Sequence, residues 1–130
     1  MNSFISPTEN LGTINGDTAA SLLRAAADVA LVVDKRGVIR DISVSSEELV
    51  DKNMQKWIGR RWLDTVAIDS QGKVAELLDG SDDADNRQRQ VNHRTDDGEN
   101  ILIMYSAVTL DDRGHRVAVG KDLSLSLIHI

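Results

Sequence analysis

Two apolar runs separated by a four-residue break constrain the fold of this chain more than any other feature. Residues 29–33, VALVV, and 38–42, VIRDI, are rich in β-branched side chains. They flank Asp34-Lys35-Arg36-Gly37, whose glycine supplies the positive φ that a tight turn requires. The pattern predicts a β-hairpin. Its first run is continuously apolar and is expected centrally in a sheet. Its second alternates, with Val38, Arg40 and Ile42 on one side and Ile39, Asp41 and Ser43 on the other.

The remainder of the chain reads as material packed on, or paired to, this hairpin. Residues 1–16 hold the single proline, Pro7, among Ser, Thr, Asn and Gly without sustained periodicity, and a flexible leader is expected there. A short helix over residues 18–27, capped by Asp17 or Thr18, places Leu22, Leu23 and Ala26 on one face. That face needs a partner, either the chain's own sheet or a second copy. After the hairpin, Ser45-Ser46-Glu47-Glu48 offers serine caps and early carboxylates for a helix whose apolar side is Leu49, Val50 and Met54. Gly59 breaks that segment, Trp62, Leu63 and Val66 suggest a second short helix, and Val74, Leu77 and Leu78 a third.

Residues 80–86, GSDDADN, form a polar acidic loop, and three strands follow. Residues 87–95 alternate weakly and are mostly polar, so that strand is expected to face solvent along most of its length. Asp96-Asp97-Gly98-Glu99 turns it into residues 101–110, and Asp111-Asp112-Arg113-Gly114 turns again into residues 116–123. The economical solution is an α+β fold: a five-stranded antiparallel sheet, short helices on one face and an amphipathic helix at the N-terminal end.

Composition narrows the function. At 130 residues the chain fits one domain, able to bury roughly two-thirds of its unfolded surface. No apolar run approaches the ~18 residues of a membrane span and the first residues lack an export signal, so a cytoplasmic protein with no membrane contact is expected. A net charge of −6 argues against nucleic-acid binding through this segment. Arg60-Arg61 and Arg87-Gln88-Arg89 are diluted by neighbouring acids. The absence of cysteine excludes disulfides, thiolate metal sites, a cysteinyl-flavin adduct and thiol switching within these residues.

Nothing in the sequence assembles a catalytic site. Asp34, Asp41, Asp64 and Asp69 bring no nucleophile, base and oxyanion donor at a recognisable spacing, and the glycines sit singly rather than in a phosphate-cradling motif. No enzyme activity, cofactor or metal is expected. His93, His115 and His129 read as a strand, a turn and a tail residue without ligand convergence. Trp57 and Trp62 are candidates for the wall of a small pocket, although aromatics at this spacing more often bury as core.

The order of these elements, with Asp34 to Gly37, Ile58-Gly59-Arg60, Asp64, Val66, Asp97-Gly98 and Gly120-Lys121-Asp122-Leu123-Ser124, resembles a PAS domain over residues 17–124. The resemblance implies a sensor whose last strand hands over to an output helix, with Gly120 and Asp122 in the relay and the Asp122 carboxylate capping the hand-over. More narrowly, AAADVALVVDKRGVIRDI, WIGRRWLDTV and VAVGKDLS resemble the N-terminal domain of the PpsR/CrtJ family of photosynthesis-gene regulators. That implies a dimerisation or signal-input module, a homodimer with a further regulatory protein partner, and DNA binding only through later parts of a longer protein. Ser43 departs from the asparagine common after the first hairpin of PAS domains, which weakens the expectation of their usual ligand binding. The alternatives are an input domain of a histidine kinase or cyclase, and a small-molecule sensor. Finally, residues 125–130, LSLIHI, are a translation of CTGTCTCTTATACACATC, which resembles a transposon-end sequencing adapter, and are expected to be non-native.

Overall fold

The hairpin forms where the sequence places it. In a computed structural model that describes residues 15–79, 88–95 and 98–123, β1 (Val29–Val33) pairs antiparallel with β2 (Ile39–Val44). The turn is closed by Asp34, whose Oδ1 accepts from the amides of Arg36 at 2.9 Å and Val38 at 3.0 Å, while Gly37 sits at φ 79°. The strand alternation expected for the second run is broken by a bulge. Val32 faces Asp41 but Val33 faces Ile39, so Arg40 is the extra residue and both Ile39 and Ile42 are buried.

The later strands are β3 (Gln88–Arg94), β4 (Asn100–Thr109) and β5 (Arg116–Asp122). β5 returns along the free edge of β1, giving a five-stranded antiparallel sheet in the order β2-β1-β5-β4-β3. This placement puts β1 between two partners, and four of its five residues are buried.

A helical layer covers one face of the sheet. It runs through α2 (Glu47–Val50), the 3₁₀ turns Met54–Trp57, Trp62–Thr65 and Ile68–Ser70, and α3 (Gln71–Leu78). Short apolar clusters interrupted by Gly59 and by turn-forming residues cannot sustain one long helix, and 3₁₀ pieces result. The segment around Trp62, expected as a helix, is such a piece. Leu49, Met54, Trp62, Val74 and Leu77 pack against Leu31, Ile39, Ile101 and Ile103 in one core. Each such side chain contributes about 1.5–3 kcal/mol by leaving water. The layer is also tied to the sheet by polar bonds: the Ala67 amide donates to the Asn92 carbonyl at 2.7 Å, and the Asn92 amide to Ser70 Oγ at 2.9 Å.

The N-terminal helix α1 is Gly16–Ala26, two residues earlier than expected at its start. Its cap is Asn15, not Asp17 or Thr18: Asn15 Oδ1 accepts the Thr18 amide at 2.9 Å. Ser46 occupies the cap of α2 but makes no capping bond, its hydroxyl bonding instead to Glu48 Oε2 at 3.0 Å. β3 is exposed or half-buried at five of its seven residues, as its polarity predicts, and departs from that at two. Val91 and His93 are fully buried, because i and i+2 on an edge strand both face the helical layer. The leader, apart from residues 15 and 16, the acidic loop, Arg87 at the start of the expected third strand, Asp96-Asp97, Ser124 and the six-residue tail lie outside the described residues.

Candidate functional site

Three places concern function: the junction where β5 ends, the interior beneath the helical layer, and the outer face of the sheet beside α1.

At the junction, the Asp28 amide donates to the Gly120 carbonyl at 2.9 Å, and the Asp122 amide donates to Asp28 Oδ2 at 2.8 Å. The Asp28 carbonyl in turn accepts from the amides of Ser45 and Ser46. One residue between α1 and β1 therefore holds the end of β5 and the end of β2 together. Gly120 has no room for a side chain. A Cβ there would lie 2.6 Å from Ile103 Cγ2, 2.8 Å from Val29 Cγ1 and 2.9 Å from Tyr105 Cε1. It is a close-approach glycine on the inner face, opposite Val29 on β1 and Tyr105 on β4.

In the interior, Trp57 and Trp62 are both buried, and a histidine joins them. Trp57 stacks on the His93 ring with centroids 4.3 Å apart, and Trp62 meets Tyr105 edge-on at 5.1 Å. His93 Nε2 lies 2.7 Å from the Tyr105 hydroxyl, and Nδ1 lies 3.2 Å from the Thr65 carbonyl. A carbonyl can only accept, so Nδ1 carries the proton and Nε2 accepts from the Tyr105 hydroxyl. The Thr65 hydroxyl completes the chain by donating to the Trp62 carbonyl at 2.7 Å. Burial drives the His93 pKa down to about 3, the Thr65 carbonyl only partly opposing it, and burial likewise pushes Tyr105 up. The network is neutral at ordinary pH. Trp62 Nε1 is buried with no hydrogen-bond partner among the described residues.

On the outer face, α1 lies against the sheet without burying any of its own residues. Leu23 is half-buried, Ala26 is exposed, and Leu22 is 53% exposed. Beside its last residue the sheet presents Met104 and Val119, and a depression of about 200 Å³ lies between Ala26, Ala27, Met104, Val119 and Lys121. Of the three, Ala26 thus sits beside the outer sheet surface, while Leu23 is half-buried and Leu22 stays largely exposed.

The residues weighed for catalysis do not gather. Asp34 and Asp64 are taken up in a turn and in an ion pair with Arg61 at 3.0 Å, and Asp69 is exposed on a separate turn. Among the described residues no group of three or more histidines and carboxylates converges as a metal site, and no helix is long and apolar enough to cross a membrane. His115 bonds Asp111 across its own turn, and His129 is outside the described residues.

A mixed hairpin-and-meander sheet, with helical pieces on one face and a loosely held helix on the other, defines a small sheet-based module. Comparison with solved structures specifies which one. The chain is similar to the PAS domain of an HTR-like protein from Haloarcula marismortui, with 16% identity, a TM-score of 0.58 and coverage of 82% of this chain and 89% of that one. It is similar to a domain of the sensory box sensor histidine kinase/response regulator from Geobacter sulfurreducens, with 19% identity, a TM-score of 0.59 and coverage of 85% and 100%. A PAS domain from a two-component sensor histidine kinase gives 11% identity, a TM-score of 0.59 and coverage of 82% and 94%. No protein-family model matches the sequence, and no curated protein does. The fold is that of a PAS domain.

Proposed function

We propose that this chain is the N-terminal PAS sensor and dimerisation module of a transcriptional regulator similar to the PpsR/CrtJ repressors of photosynthesis genes. In this reading it works in the cytoplasm, without catalysis, cofactor or DNA contact of its own. It relays occupancy by a protein partner through the sheet to segments that follow β5.

The observation that carries the reading is α1. An isolated helix of 11 residues is marginal in water, and this one buries none of its residues. Leu22 and the outer sheet surface beside Ala26 gain burial if a second copy packs across them, and a bias between dimer arrangements is then a signal. The sequence phrases shared with the PpsR/CrtJ domain supply the choice of regulator.

Light scattering of the whole chain, beside a Leu22→Asp/Leu23→Asp variant, tests the assembly. A dimer that becomes monomeric in the variant supports the reading; a wild-type monomer at high concentration counts against it. The second reading is an input domain of a histidine kinase, favoured by the kinase origin of structural neighbours. The coding sequence downstream separates the two: a glutamine-rich linker and helix-turn-helix, or a kinase domain.

A further inference from the structure

We propose that the cleft between the two Asp-x-Arg-Gly turns binds a small polyanion, a ligand bearing a phosphoryl group or paired carboxylates. The turns are Asp34-Lys35-Arg36-Gly37-Val38, between β1 and β2, and Asp111-Asp112-Arg113-Gly114-His115, between β4 and β5. They are built alike. Asp34 Oδ1 accepts the amides of Arg36 and Val38 at 2.9 and 3.0 Å, and Asp111 Oδ1 accepts those of Arg113 and His115 at 3.0 and 3.2 Å. Gly37 and Gly114 both take the left-handed conformation, at φ 79° and 90°. Because Val33 pairs with Arg116, the turns emerge side by side at one end of the sheet.

They also touch. A Cβ on Gly114 would fall 2.6 Å from Lys35 Cβ, so the second turn is seated directly on the first and their backbones are held together. Asp34, Lys35, Arg36 and Arg40 from one side and Asp112, Arg113, Gly114 and His115 from the other border an open depression of about 700 Å³, room for an organic ligand rather than for a lone ion.

The charge of this cleft is opposite to that of the molecule. Four permanent cations, Lys35, Arg36, Arg40 and Arg113, line it with two carboxylates, Asp34 and Asp112, and a third carboxylate, Asp111, pairs with Arg113 at 3.2 Å, so the balance stays positive in a chain of net charge −6. Asp34 is turned into its own loop and held by Arg40 Nε at 2.9 Å. Burial raises its pKa, but the amides of Val38 and Arg36 and the Arg40 guanidinium outweigh that and leave it lowered. Lys35 and Arg36 are exposed and have no ion-pair partner among the described residues. Arg36 and Arg113 hold the same position in the two turns, and planar guanidinium forks match the oxygen pairs of phosphoryl and carboxylate groups. His115, its Nδ1 3.0 Å from Asp111 Oδ2, keeps Nε2 as a further polar atom at the cleft.

The test uses the full chain and two probes, inorganic pyrophosphate and citrate, titrated at constant ionic strength with amide resonances and heat as readouts. Saturable shifts confined to the two turns, weakened about tenfold in each of Arg36→Gln and Arg113→Gln, support the site. An Arg60→Gln/Arg61→Gln pair should leave binding unchanged. Shifts spread over all exposed cations, or equal in the variants, overturn it. Binding of a poly-glutamate peptide when neither probe binds also overturns it, since the cleft is then a protein-docking surface. Dimerisation is read separately, so failure here leaves the reading of α1 untouched, and the converse.

Discussion

The Asp122 amide donates to the Asp28 carboxylate at 2.8 Å, across 94 positions of sequence, at the place where β5 leaves the sheet. The carboxylate at this contact belongs to Asp28, and Asp122 contributes its backbone. Asp28 also joins the end of α1 to the end of β2 through its carbonyl, so three elements meet on one residue. Asp28→Ala is expected to cost about 1.5–3 kcal/mol, the worth of a hydrogen bond to a charged group. Denaturant titration checks the loss, and hydrogen exchange at the Asp122 amide should accelerate with it. In a longer protein of the kind proposed, Asp28→Ala should weaken coupling of signal to output in a reporter assay while the domain stays folded, and Asp122→Ala, which keeps the donating amide, should weaken it less. Unchanged regulation in Asp28→Ala would remove the junction from the relay.

Gly120 supplies a second prediction, from crowding. Gly120→Ala puts a methyl group against Ile103, Val29 and Tyr105 at 2.6–2.9 Å. An overpacked core position of this kind costs about 1–3 kcal/mol. Ile103→Ala beside it opens the space, so the double variant should lose less stability than the sum of the singles. Additive losses in a double-mutant cycle would show that the clash is relieved elsewhere.

These cases show what kind of information a sequence carries. The hairpin and the meander were legible because β-branched runs broken by Asp and Gly have one cheap solution, and the strand ends fall within two residues of expectation. The cap of α1 was not, since Asn15, Asp17 and Thr18 are equally good capping chemistry and only backbone geometry chooses among them. The interior network was hidden for a different reason. In QRQVNHR the polar residues mask a two-residue alternation, Val91 and His93, and the partners of His93 lie on a distant turn and on β4. The repeated Asp-x-Arg-Gly spelling was visible in both turns, but their contact depends on β1 pairing with β5, a long-range event that no local pattern announces.

Arg116 gives a third prediction. It is 4% exposed and faces the helical layer from β5. Its Nε donates to the Leu77 carbonyl at 3.0 Å, Nη1 to Thr109 Oγ1 at 2.8 Å and Nη2 to the Ala107 carbonyl at 3.3 Å. It thus holds the C-terminal end of α3, where the helix dipole favours a cation. Arg116→Met should cost about 2–4 kcal/mol by leaving these buried acceptors unpaired. Arg116→Lys should recover only part of this, because a point charge cannot reach acceptors set around a planar fork. Equal stability of the Met and Lys variants in urea would refute that account.

The buried imidazole makes stability depend on pH in a defined direction. His93 has a pKa near 6.5 when unfolded and about 3 in the native network, so between these values the unfolded chain binds a proton that the native protein excludes. Its contribution is complete above pH 6.5 and declines as pH falls toward 3. The slope is about 1.4 kcal/mol per pH unit, which gives a loss of about 2 kcal/mol between pH 7 and pH 5. Tyr105, the titratable group facing it, is pushed upward and stays neutral throughout. Asp34 and Asp111 have lowered pKa values, so their contributions are lost as pH falls through and below the ordinary carboxylate range, where the unfolded carboxyls take up protons before the native ones do, at more acid pH than the His93 loss. His93→Gln removes the titration, and it should lower stability at pH 7 while flattening the profile from pH 7 to pH 5. Urea midpoints across that range decide it: a variant that retains the wild-type slope would place the acid sensitivity outside the His93–Tyr105–Thr65 network.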